Sequence, residues 1–186
     1  MMTILEKIRA FAHQRTLKQE LRHKTRPQGR GQVNLHSAQN IGILFDASQT
    51  DDRETILRFA ERLRKQGKRV TLLGFFDDVV EADHFPFKSF NYKQLDWALR
   101  PNAETVKDFI AQEFDLLLHL EPVAKTYSEY IAALSNAKLR VGPSTEHTYC
   151  YDLMIDQSAK AGLSRFIQQV EFLLGKTNVL HEPAHA

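Results

Sequence analysis

The sequence predicts an α/β fold: a three-layer sandwich on a mostly parallel, Rossmann-like sheet of about five strands, preceded by a basic N-terminal helix. Three observations predict it. Short apolar runs, Ile41-Gly-Ile-Leu-Phe-Asp46, Arg69-Val-Thr-Leu-Leu-Gly-Phe-Phe76 and Phe114-Asp-Leu-Leu-Leu-His-Leu120, read as strands buried on both faces. Segments with helical apolar spacing alternate with them, the pattern of right-handed βαβ units. The charge is split: residues 1–32 hold eight Lys or Arg against Glu6 and Glu20, a net +6, which leaves −4 on the rest of a chain whose total is +2.

Residues 2–24 read as a helix. Ile4, Leu5, Ile8, Phe11 and Ala12 fall on one face, and Leu17 and Leu21 continue the stripe rotated away from it. Thr25-Arg-Pro-Gln-Gly-Arg-Gly31 breaks the helix into a flexible basic linker. Residues 1–32 are therefore expected to form a basic arm, 33–176 the α/β domain and 177–186 a frayed tail. After the first strand, Ser48 or Thr50 is placed to cap a helix whose first turn carries Asp51, Asp52 and Glu54, favourable at the positive end of the helix dipole. Gly67, behind Arg62, Arg64 and Lys65, ends that helix before the second strand. Phe85, Phe87, Phe90 and Tyr92 suggest a short strand, with a loop over 95–101. Helices are expected over 103–113, 126–137 and 163–174, and strands over 139–142 and 151–156.

A chain of 186 residues suits one domain plus an extension. Such a domain buries about two-thirds of its unfolded surface and needs no staples. Cys150 is the only cysteine, so no disulfide forms within the chain, which fits a reducing compartment. Residues 1–13 are interrupted by Glu6, Lys7 and Arg9 and lack the apolar core of a signal peptide. No run approaches the length of a membrane span. A cytoplasmic location is expected.

In open parallel sheets, ligands bind beyond the carboxyl ends of the strands. The candidates there are Asp46 and Ser48 after the first strand, His119 and Glu121 at the central strand, Ser144 after the short one and Asp156 after the last. Asp46, His119, Glu121 and Asp156 are the acid–base groups an enzyme acting on a small or sugar-like ligand would use. Polar strand ends are near-universal in such sheets, so the balance is against catalysis. The turn Asp46-Ala-Ser-Gln-Thr-Asp-Asp52 has no glycine to admit a pyrophosphate, and Asp51 and Asp52 would repel one. No G-x-x-x-x-G-K-[ST] loop is present. No cofactor and no metal are expected: His181 and His185 have ligand-like spacing, but Pro183 lies between them and nothing converges on them. Cys150, between Tyr149 and Tyr151, reads as a packing residue rather than a nucleophile. Phe85, Phe87, Phe90, Tyr92 and Trp97 read as a satellite core, with a base-stacking platform as the functional alternative.

The motifs Ile41–Asp46, Gly67-Lys-Arg-Val70, Phe114–Leu120, Tyr130-Ile-Ala-Ala-Leu-Ser-Asn-Ala-Lys138, Val141-Gly142 and Tyr151-Asp-Leu-Met-Ile-Asp156 together resemble an uncharacterised family of small bacterial α/β proteins with a basic N-terminal helix. The resemblance implies the fold and no activity. Residues 114–142 are more distantly similar to the N-terminal half of heptosyltransferase-type glycosyltransferases, where a Phe-Asp-Leu-Leu-Leu strand is followed by a helix and an Ala-Lys-x-Arg-Val-Gly turn. Those enzymes require a second Rossmann-like half for the nucleotide-sugar, and 186 residues leave no room for it.

The expected function is therefore a non-catalytic binding protein. Lys7, Arg9, Arg15, Lys18, Arg22, Lys24, Arg26 and Arg30 would contact nucleic acid, with ribosomal or other structured RNA favoured, while the body docks on a protein or ribonucleoprotein partner. The alternatives are the crevice enzyme and a peripheral membrane protein that inserts Ile4, Leu5, Ile8 and Phe11. A solvated helix packed on its own domain is the plain structural reading.

Overall fold

Strand β1 (Asn40–Asp46) is apolar on both faces because it lies in the middle of a six-stranded sheet. The computed structural model describes residues 4–24, 33–78, 85–158 and 161–176. Helix α1 (Ile4–His23) precedes β1; then come α2 (Thr50–Lys65), β2 (Arg69–Phe76), β3 (Lys88–Asn91), α3 (Glu104–Ala111) and β4 (Glu113–His119). Helix α4 (Thr126–Leu134), β5 (Asn136–Pro143), β6 (Leu153–Ile155) and α5 (Gly162–Lys176) complete the chain. The strand order is β3-β2-β1-β4-β5-β6 and every pairing is parallel. That is the order of the doubly wound dinucleotide-binding folds, and it reverses between β1 and β4. The expected sheet of about five strands, mostly parallel, is thus a fully parallel sheet of six.

The two faces of the sheet have separate cores. Ile43, Phe45, Leu116 and Leu118 pack with Phe59 and Leu63 of α2 and with Phe166 and Val170 of α5. Leu44, Leu73, Phe75 and Leu117 pack with Val106 and Phe109 of α3, Ile131 of α4 and Leu17 of α1. The aromatic group expected as one cluster is divided by the sheet. Phe85 and Phe87 stack with Phe76 on the α2 side, while Phe90 meets Phe75 and Tyr127 on the other. Only Tyr92 and Trp97 of that group are exposed, so the residues make no shared stacking platform.

Three boundaries differ from expectation. Helix α4 ends at Leu134 rather than Ala137, because Asn136 and Ala137 pair with Glu113 and Phe114 and start β5 early. Strand β6 holds only Leu153–Ile155, since Tyr151 and Asp152 turn aside to bond His119 and Arg140. Neither Ser48 nor Thr50 caps α2. Gln49 occupies the cap position without a side-chain bond, and Arg53 instead reaches back to the carbonyls of Ala47 and Ser48. The expected linker and tail, with Arg26, Arg30, His181 and His185, lie outside the described residues.

Helix α4 explains the placement of α1. Every residue from Tyr127 to Leu134 is buried. A helix apolar around most of its circumference must be covered on both sides. The sheet covers one side and α1 the other. Leu17 is 1% exposed in that seam, a burial worth about 1.5–3 kcal/mol. Arg9 Nε donates to the Trp97 carbonyl, His13 Nδ1 lies 2.8 Å from the Ala98 carbonyl, and the Tyr130 hydroxyl donates to Glu20. Gln14 bonds His147 and accepts from the Tyr149 hydroxyl, and His147 Nδ1 sits 2.9 Å from Glu129 on α4. The stripe that faces the body is therefore the rotated one, with Leu17 and Leu21. Ile4, Leu5, Ile8 and Phe11 face solvent.

Two ionic clamps tie neighbouring strands together. Arg140, 2% exposed, gives Nε and one terminal nitrogen to Asp152 and the other to the Ala133 carbonyl, tying β5 to the end of α4. Asp115 accepts from the backbone N–H groups of Gln39 and Asn40 and from Lys138. Burial pushes the Asp115 carboxyl up, but these donors outweigh it and hold it at about 2.

The α1 seam predicts an acid response. Burial pulls the His13 imidazole below its ordinary 6.5, against the opposing pulls of the Ala98 carbonyl, Glu129 and Asp96. As pH falls below 6.5 the unfolded chain takes up this proton before the folded one does, so stability is lost on the acid side. Thermal melts from about pH 7 to about pH 5 should therefore fall more steeply for the natural chain than for His13→Leu, and parallel curves would show that His13 is not the titrating group.

Candidate functional site

The reversal of strand order brings the carboxyl ends of β1 and β4 side by side, with Leu44 paired to His119. Asp46 closes β1. Its Oδ1 accepts from the Ser48 backbone N–H, and its Oδ2 receives the Lys125 ammonium at 2.5 Å. Lys125 sits at the start of α4 and also lies over the rings of Phe75 and Tyr127. Burial raises the Asp46 carboxyl, but Lys125 and Ser48 outweigh it and hold it below the usual range; the same pair lifts Lys125 above its own range against burial. The ion pair is therefore formed throughout neutral pH.

Behind it lies a second polar group. His119 is fully buried at the end of β4, and its Nδ1 lies 2.6 Å from the Tyr151 hydroxyl. Burial, followed by nearby charges, raises Tyr151 well above the ordinary phenol range. The hydroxyl is therefore neutral, and it shares one hydrogen bond with Nδ1. Nε2 stands 3.3 Å from Glu121 Oε1, close enough to attract but not aligned as a hydrogen bond. Gly142 on β5 makes this seat, because a Cβ there would overlap the Tyr151 ring.

Glu121 is 3% exposed, and neither of its oxygens has a hydrogen-bond donor among the described residues. The Tyr127 hydroxyl is likewise buried without a partner, and burial together with Glu121 and Asp46 keeps it protonated. A cavity of about 260 Å³ opens onto this group, lined by Asp46, Asp52, Glu121 and Lys125 with apolar walls that include Val123 and Leu163. A larger cleft of about 980 Å³ lies between α2 and α5, but none of its polar lining residues is buried, so it offers no desolvated group to a ligand.

Of the six crevice candidates, Asp46, Ser48, His119 and Glu121 gather at the switch point, with the Ser48 hydroxyl accepting from the backbone N–H of Asp77. Ser144 and Asp156 do not join them. Ser144 donates its backbone N–H to the Ile155 carbonyl, and Asp156 follows β6, two strand spacings or about 10 Å from β4. Lys125, Tyr127 and Tyr151 complete the group and were not legible as site residues; they lie on α4 or in the loop before β6, and only the fold carries them there. Cys150 is fully buried, and burial pushes its thiol up to about 12, which makes it a packing residue. Among the described residues no group of three or more His, Cys, Asp or Glu could hold a metal ion.

The second candidate surface is the outer face of α1. Ile4, Ile8, Phe11, Arg15, Lys18 and Arg22 recur at steps of four and three residues, which sets them in one line along the helix. All six are exposed: the first three make an apolar end, the last three a cationic one. Lys7 is also exposed. Arg9 is drawn towards Trp97, and Lys24 is half-buried, with burial and then Arg140 lowering its ammonium to about 8.

A family model matches residues 9–176. The chain belongs to DUF6913, a family of unknown function. The matched span opens at Arg9, which donates to the Trp97 carbonyl, and closes at the last residue of α5. No curated protein matches the chain.

The Tyr151 seat can be tested by overpacking. Gly142→Ala should cost about 1–3 kcal/mol in chemical denaturation, because the ring has no free volume to retreat into. Tyr151→Phe, which leaves a buried imidazole nitrogen without its hydrogen-bond partner, should cost a similar ~1–3 kcal/mol. A neutral Gly142→Ala would mean that the ring is not locked against β5.

Proposed function

We propose that this chain is a non-catalytic binding protein that contacts structured RNA through the cationic end of α1. The observation that carries the reading is the outward row Arg15, Lys18 and Arg22, fully available because the opposite face of the helix is anchored to α4. Cations on a docked helix are already ordered, so binding costs less conformational entropy than it would on a loose tail. The net −4 of the remaining chain repels phosphate and orients the molecule with α1 towards the nucleic acid. The apolar end of α1, beside the exposed Trp97, supplies a surface for the protein partner of such a complex. The absence of a glycine after β1 and the cover that Arg53 gives that turn disfavour a nucleotide there. The likeness of residues 114–142 to a heptosyltransferase half adds a fold argument and no activity.

The test is binding to an RNA hairpin across a salt series. Each phosphate neutralised contributes about 0.7–0.9 to the slope of log K against log salt. The triple variant Arg15→Gln, Lys18→Gln, Arg22→Gln should therefore lower the slope by about 2–3 and weaken binding across all RNA sequences. Equal slopes would refute the reading.

A second reading is favoured by one observation: Ile4, Leu5, Ile8 and Phe11 are each more than half exposed. Such an apolar turn followed by cations also suits an anionic lipid surface. Flotation with phosphatidylserine vesicles separates the two. Co-flotation that is lost in Ile4→Ser, Phe11→Ser would favour the membrane, and no flotation leaves RNA as the sole reading.

A further inference from the structure

The Glu121 carboxylate is buried with no hydrogen-bond donor among the described residues, and its close polar neighbour is His119 Nε2, 3.3 Å from Oε1. A buried carboxylate without a hydrogen-bond donor is costly, and proteins retain such groups where something external compensates them. Among the described residues, four buried side-chain polar atoms without a hydrogen bond belong to three residues around this strand end: His119 Nε2, both oxygens of Glu121 and the Tyr127 hydroxyl. The neighbouring cation cannot complete the site, because Lys125 is held by Asp46 and leaves both Glu121 oxygens without a bond.

We propose that the β1–β4 switch point is a binding site for a small primary amine on an aliphatic stem, with Glu121 receiving the ammonium. Three features choose this chemistry. The cavity presents three carboxylates, Asp46, Asp52 and Glu121, against the one ammonium of Lys125, which rejects anions and selects a cation. The deepest polar position offers two acceptor oxygens, and an ammonium has three donors to match them. The walls include Leu120, Pro122, Val123 and Leu163, which suit a methylene stem. A volume of about 260 Å³, roughly eight or nine water volumes, fits a metabolite of this size rather than a nucleotide. The location is also the one that strand topology prepares for ligands. The site does not depend on α1 binding RNA.

Putrescine and agmatine serve as probes on the full chain, with inorganic phosphate and AMP as anionic controls, read by calorimetric titration and thermal unfolding. The amines should bind and raise the melting temperature, and the anions should do neither. Glu121→Gln, close in shape and uncharged, should weaken amine binding by about tenfold or more, since it removes the charge from the hydrogen bond. Without ligand the same variant should melt at the same temperature or higher, because a buried carboxylate that no hydrogen bond satisfies is gone. Val123→Trp, on the exposed rim, should block the mouth and abolish binding with the melting temperature unchanged. The site is overturned if neither amine binds at millimolar concentration, if the anions bind instead, or if Glu121→Gln binds the amines as tightly as the natural chain. It is equally overturned if Glu121→Gln melts several degrees lower, which would make Glu121 a structural residue.

Discussion

Helix α4 has no solvent face, and much of the molecule follows from that. Its sequence, Thr126-Tyr-Ser-Glu-Tyr-Ile-Ala-Ala-Leu134, is too apolar to lie on a surface. The sheet covers one side, and α1 is recruited to cover the other. Once α1 is fixed by Leu17, His13 and Glu20, its remaining faces have no freedom: Ile4, Ile8 and Phe11, then Arg15, Lys18 and Arg22, must point to water. The same helix begins at the sheet's switch point, so its burial also delivers Lys125 and Tyr127 to the strand ends. One packing requirement thus sets both candidate surfaces.

Two polar networks differ in how completely they are satisfied. In the α1 seam, Gln14, His147, Glu129, Thr145 and Tyr149 bond one another in a connected set. Such a network specifies one docked arrangement of the helix. The group at the strand ends is only half closed. Tyr151 serves one nitrogen of His119, but Glu121 and Tyr127 are left without partners. The first network is half-buried and holds structure together; the second is buried, and it stays open where the topology places a ligand.

The strands were the most legible part of the molecule because their signal is local. The runs 41–46, 69–76 and 114–119 lie in strands of the central sheet, and their parallel pairing was implicit in the alternation with helices. The site was legible in part. Asp46, His119 and Glu121 follow from the rule that strand ends carry ligands, but Asp156 satisfies the same rule and lies too far along the sheet. Distance across a sheet depends on strand order, which neighbouring residues do not encode. Which stripe of α1 faces the body was not legible for a related reason. Ile4, Leu5, Ile8 and Phe11 form the stronger apolar pattern, yet the weaker pair Leu17 and Leu21 packs inward, because the length and position of α4 decide which turn of α1 meets it.

What the sequence by itself determined is the set of parallel strands, the helices between them, the charge split between residues 1–32 and the rest, and the absence of a phosphate loop. Each of these is written in contiguous residues and needs only the periodicity of side chains along a strand or helix. Only the tertiary structure decided that Gly142 makes room for Tyr151, that Tyr151 reaches His119, and that Glu121 is buried without a donor. Only it decided that the basic helix is docked by one face with its cations turned outward. These facts depend on which segments the sheet order and the covering of α4 bring together. The bonded pairs His119 with Tyr151 and Gln14 with Tyr149 stand 32 and 135 positions apart, and their own neighbourhoods carry no mark of the meeting.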